Sequence, residues 1–221
     1  MKARFWISAL ALLALWWAGK RLTVSALQAY LPRGARPILL ESLYSLAWAI
    51  ALYPVMRADA AEYGLSSGAL SKRLTLVVLA GYAGVVAALF IWRIASLSLQ
   101  TMEATARAMQ VAHALGFYLL VVCVAPLFEE LLFRGLLQTW ACRAFPRGAG
   151  RGPILSWATL VTATLFSSIH LPFLWPNATV RGWFSVGSSF VAGIILGIVH
   201  DRMGSIYLAI LIHSLGNLIG F

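Results

Sequence analysis

The chain has 221 residues, 61% of them hydrophobic and 11% charged. A soluble domain carries about 25% charged residues, so composition excludes an ordinary water-soluble protein and makes lipid the solvent. The formal charge of +10 does not mark a nucleic-acid binder. The basic residues are spread between apolar runs as loop anchors, not gathered on one face or tail.

A spanning helix needs about 20 mainly apolar residues. Seven stretches are candidates, roughly 4–19, 37–56, 74–97, 111–129, 154–170, 184–200 and 204–220. The expected fold is therefore all-α, a polytopic transmembrane bundle of about seven spanning helices. Lys2 and Arg4 precede the apolar run from Phe5 to Ala18, as in a secretory signal. Trp16 and Trp17 occupy the place of a small-residue cleavage site, which predicts an uncleaved first helix. The connector 20–37 carries Lys20, Arg21, Arg33 and Arg36, and the stretch 57–73 is polar and Ser-rich. Residues 98–110 are mildly amphipathic and suit the membrane interface. Arg- and Gly-rich residues 143–153 read as a loop. Trp6, Trp92, Trp140, Trp175 and Trp183 fall near proposed helix ends, as an aromatic belt would. The chain divides into N-terminal helices with an interfacial segment, 1–110, and a core carrying the unusual polar residues, 111–221. Cys123 and Cys142 make no disulfide framework and read as small apolar fillers.

Ionisable groups at membrane depth cost several kcal/mol and are functional suspects. Asp59, Glu62 and Glu103 lie in connectors, Glu41 in the first turn of a helix, and His113 and His200 at helix ends. Asp201 beside Arg202 reads as a surface pair. Glu129 and Glu130 differ, because they sit between the apolar run ending at Phe128 and Leu131-Leu132-Phe133. On a helix Glu130 and Arg134 share a face and can pair. Glu129 points about 100° away and stays available as a base. A purely structural Glu–Arg clamp fits this segment equally well. Phe166 and His170 stand one turn apart, as do His213 and Asn217. Either pair alone could be interhelical glue. A free carboxylate, two histidines and an amide on hydrophobic helices are hard to explain that way. Ser189, Gly193 and Gly197 form a small-residue stripe that suits close helix packing. Asn177-Ala-Thr179 matches a glycosylation sequon, a pattern common by chance.

In order, Glu129-Glu130-x-x-x-Arg134, Phe166-x-x-x-His170 and His213-x-x-x-Asn217 resemble the three motifs of the CPBP (Abi) family. That family contains CAAX prenyl endopeptidases and bacteriocin-processing and immunity proteins. The resemblance covers roughly residues 120–221. It implies an intramembrane endopeptidase of a prokaryotic inner membrane, cutting a protein near a membrane-anchored or lipidated end. Glu129 would activate a water with His170, while His213 and Asn217 would bind the oxyanion. Glu130, Arg134 and Phe166 would support them. The family is viewed as metal-independent, so no cofactor is implied. The departure is size: the chain ends four residues after Asn217 and lacks an eighth helix of some relatives, which bears on the substrate channel.

Two other readings stay open on the sequence. One is a non-catalytic immunity or peptide-binding protein on the same scaffold. The other is a zinc enzyme using Glu129, His170 and His213. No H-E-x-x-H occurs, and Asp59 and Asp201, the only aspartates, lie outside the proposed spans, against an aspartyl dyad.

Overall fold

The computed structural model describes residues 2–27, 36–65, 119–145, 155–174 and 178–219. The expected helix 74–97, the interfacial segment 98–110, the start of the expected helix 111–129, His113 and Asn177 lie outside them. Among the described residues every regular element is helical. Helix α1 spans Lys2–Leu27 and α2 spans Arg36–Arg57. A continuous helical rod follows. It runs through a π-helical turn Leu119–Val124, α3 Ala125–Glu130, a second π-helix Leu131–Gln138 and α4 Thr139–Ala144.

Helix α5, Trp157–Ser168, starts where Ser156 Oγ accepts the Thr159 amide at 3.0 Å. This N-cap satisfies one orphan donor. A 3₁₀ turn Leu171–Leu174 follows, then α6, Val180–Met203. Thr179 caps α6 by accepting from the Gly182 amide at 3.0 Å, so the threonine of the sequon serves the fold. Gly204 ends α6 at φ 61°, a left-handed conformation natural to glycine, and α7, Ile206–Ile219, follows.

The span count is narrower than expected. Among the described residues one helix, Val180–Met203, is long and apolar enough to cross a membrane. Helix α5 has 12 residues and α7 has 14. At 1.5 Å per residue they reach only about 18 and 21 Å, short of a hydrocarbon core of about 30 Å. Helices α1 and α2 have the length, at 26 and 22 residues. Apolar side chains stand exposed along all three long helices: Ile7, Leu10 and Leu15 on α1, Ile50 and Val55 on α2, and Phe184 and Val191 on α6. Such belts are costly in water and natural against lipid chains.

The rod is the centre of the molecule. All eight residues of Leu131–Gln138 are buried, including Arg134 and Gln138. The sequence places the end of this span near residue 129, whereas the helix continues to Ala144. The buried polar residues reach across to a neighbouring helix. Arg134 Nη2 donates to the Gly193 carbonyl at 3.2 Å, and Gln138 Nε2 to the Gly197 carbonyl at 3.0 Å. Two residues four apart on the rod thus meet two residues four apart on α6.

Glycine makes this approach possible. A Cβ on Gly197 would lie 2.8 Å from Thr159 Cγ2 and 3.2 Å from Gln138 Oε1, and one on Gly193 would lie 3.0 Å from Ala163 Cα. Gly197→Ala is expected to destabilise the protein by about 1–3 kcal/mol, the usual cost of overpacking. Thermal unfolding in detergent checks this, and an unchanged midpoint would reject the tight contact.

Asp201 does more than sit beside Arg202 at a helix end. Its carboxylate accepts from Gln138 Nε2 at 2.8 Å, Ser156 Oγ at 3.0 Å and Thr159 Oγ1 at 2.9 Å. It therefore ties the end of α6 to the rod and to the start of α5. His200, expected at an interface, is buried. It lies against Gly64, where a Cβ would come 2.6 Å from its ring.

Candidate active site

Three elements meet beside the rod: the end of α3, the end of α5 and the middle of α7. Glu129 and Glu130 close α3. As neighbours on a helix they point about 100° apart. Glu130 is fully buried, and its Oε2 lies 3.2 Å from Arg134 Nε one turn on. The Arg134 guanidinium carbon also stands 4.6 Å from the Phe166 ring centroid. Arg134 is thus held by a carboxylate, a carbonyl and an aromatic face. That combination compensates a charge removed from water. Glu129 remains 18% exposed.

Helix α7 brings His213 to both carboxylates. Its Nδ1 lies 2.8 Å from Glu130 Oε1, and its Nε2 lies 3.6 Å from Glu129 Oε2. The first is a hydrogen bond; the second is close approach without one. The His213 ring meets Phe166 edge-on at 5.6 Å between centroids. Phe166 also makes edge contacts with His170 at 5.3 Å and Phe133 at 5.2 Å. It is therefore the hub against which both histidines are oriented.

His170 lies just beyond α5, with Nδ1 3.1 Å from the Phe166 carbonyl. A carbonyl can only accept, so Nδ1 is the donor in this contact. Phe166, His170, His213 and Asn217 line one cavity of about 390 Å³, together with Ser188 and Ser189 of α6. Glu129 is not on that wall; His213 connects it to the cavity. Ser189, read as part of the packing stripe, borders the cavity, while Gly193 and Gly197 do the packing.

All seven residues singled out from the sequence thus fall in one connected region. Sequence reasoning missed the bond from His213 to Glu130, which has no local signal because the two stand 83 residues apart. Among the described residues, no group of three or more His, Cys, Asp and Glu side chains is placed to hold a metal ion.

The arrangement offers two imidazoles and an amide on the wall of one cavity, with a carboxylate reached through His213. These groups can accept a proton and donate to a developing oxyanion. Residues 111–219 match the family model described as Rce1-like, type II CAAX prenyl endopeptidase, the kind of family the three motifs pointed to. No curated protein and no solved structure matches the chain.

Proposed function

Because residues 111–219 belong to the Rce1-like family of type II CAAX prenyl endopeptidases, we propose that this chain is a glutamate-dependent, metal-independent endopeptidase of a prokaryotic inner membrane. In this reading it crosses the membrane several times, residues 111–221 are the catalytic core, and helices within 1–110 complete the bundle. The substrate is a protein cut near a membrane-anchored or lipidated end. The observation that carries the proposal is His213. It contacts Glu129 and Glu130 while sharing a cavity wall with His170 and Asn217.

Glu129 serves as acceptor for the attacking water, and His170 assists. Asn217 and His213 face the carbonyl oxygen. Arg134 and Phe166 hold the glutamate and the rings in place. Such a site needs no group with a net charge facing lipid, because the helices enclose its water.

The test is cleavage of a peptide with a lipidated C-terminal cysteine motif by purified protein in liposomes. The wild type is expected to release the terminal tripeptide, with or without a chelator. Asn217→Ala is expected to slow turnover by about 10²–10³-fold, as for one lost oxyanion donor. No cleavage by the wild type would reject the reading. Loss under chelation restored by zinc would replace it with a metal mechanism, and an unchanged rate in Asn217→Ala would remove that residue from the site.

A further inference from the structure

Gly216 of α7 borders the cavity of about 390 Å³, and a Cβ built on it would meet no heavy atom within 4 Å. The packing glycines of α6 differ. A Cβ on Gly197 would lie 2.8 Å from Thr159 Cγ2, so glycine there is required by a neighbouring helix. No neighbour asks for glycine at 216. Its backbone does not ask for it either, because Gly216 sits inside a regular helix and is not among the glycines with positive φ. A glycine within a helix costs stability relative to alanine. What Gly216 supplies in return is room in the cavity.

That room lies beside the reacting groups. His213 and Asn217 stand one turn apart on α7, and so do Ile212 and Gly216. One stripe of the helix thus carries polar groups and the adjoining stripe carries apolar surface. Across the cavity α6 contributes Phe184, Ala192, Ile195 and Leu196. Ser188 is on the same wall, but its hydroxyl donates to the Ser185 carbonyl of its own helix at 3.1 Å. The space next to Gly216 is therefore walled mainly by apolar groups.

We propose that this space is the subsite for the substrate side chain that follows the cleaved bond, and that Gly216 sets how large that side chain can be. The proposal rests on the peptidase reading and names a residue that selects within it. With the carbonyl oxygen on Asn217, the adjacent substrate residue lies against the residue beside Asn217. A volume of about 390 Å³ is near the lower end of ligand pockets, about 300–1,000 Å³. It holds a peptide unit with one large side chain, while the lipid chain on the retained side stays with the bilayer. In an apolar pocket a misfit of one methylene changes kcat/KM by about 10–200-fold. The side chain that residue 216 lacks is thus enough to decide between substrates.

The test supplies purified protein in liposomes with two lipidated C-terminal peptides. They differ only in the residue after the lipidated cysteine, phenylalanine in one and alanine in the other. The ratio of kcat/KM for the phenylalanine peptide to that for the alanine peptide is expected to fall by about 10–200-fold in Gly216→Leu. Gly216→Ala should lower it less. Its unfolding midpoint should equal or exceed that of the wild type, since alanine is the better helix former. Gly187→Leu is the control: that glycine also has open surroundings but is not on the cavity wall, and the ratio should stay at the wild-type value. A wild-type ratio in folded Gly216→Leu would overturn the proposal, as would an equal change in Gly187→Leu. If Gly216→Leu cleaves neither peptide or does not fold, the ratio in Gly216→Ala decides. If the wild type cleaves neither peptide, the peptidase reading falls, and saturation-transfer NMR with the two free tripeptides judges the subsite. Weaker binding of the phenylalanine tripeptide to Gly216→Ala than to wild type would keep Gly216 as the size limit of a peptide pocket; equal binding would end it.

Discussion

Glu129→Ala protein is expected to cleave nothing measurable above background while unfolding as the wild type does. The rate should fall by at least about 10²–10⁴-fold, the usual contribution of a positioned acid–base group. The stability half follows from where this carboxylate sits. Glu129 is 18% exposed, and its approach to His213 Nε2 at 3.6 Å is longer than a hydrogen bond. Truncating it strips no buried cation of its partner, because Arg134 is paired with Glu130. It also removes one of two adjacent negative charges. Cleavage in liposomes and thermal unfolding in detergent check the two halves separately. Normal turnover in a folded Glu129→Ala protein would end the assignment, since among the described contacts Glu129 is the carboxylate that approaches Nε2 of His213.

Much of this region was legible because the relevant spacings are local. Glu130 with Arg134, Phe166 with His170, and His213 with Asn217 each stand four residues apart, so helical geometry alone puts each pair on one face. What a face meets is decided by packing, and there the sequence ran out. The sequence pairs Arg134 with Glu130 but gives no partner for Gln138. Arg134 and Gln138 are buried because carbonyls of Gly193 and Gly197 receive them, 59 residues away. The rod therefore continues where a boundary was expected. The reach of Asp201 was hidden for the same reason. Its neighbour Arg202 suggested a local pair, while its observed donors come from the rod and from the start of α5. Among the described residues α5 and α7 are shorter than the spans expected there. Apolar composition runs past Ser168 into a 3₁₀ turn, and α7 begins only at Ile206, after the start expected at 204. Hydropathy registers composition and not these breaks in the backbone ladder.

Arg134→Ala should produce the largest loss of stability, about 3–5 kcal/mol, the scale for removing one partner of a buried pair. Glu130 would be left without its cation and with no exposure to water, with His213 Nδ1 as its partner among the described contacts. The Gly193 carbonyl would lose its donor and Phe166 its guanidinium cover. Arg134→Lys should recover part of this, because an ammonium keeps the charge but cannot reproduce the planar fork that serves a carboxylate and a carbonyl together. Yield of folded protein and its unfolding midpoint in detergent are the measurements. An Arg134→Ala protein within about 1 kcal/mol of wild type would show that the cluster tolerates an uncompensated carboxylate. A stable but inactive one would move Arg134 from support to the chemistry. Arg134 and Glu129 should therefore separate cleanly: one loses the fold that presents the site, the other loses the reaction in a fold that persists.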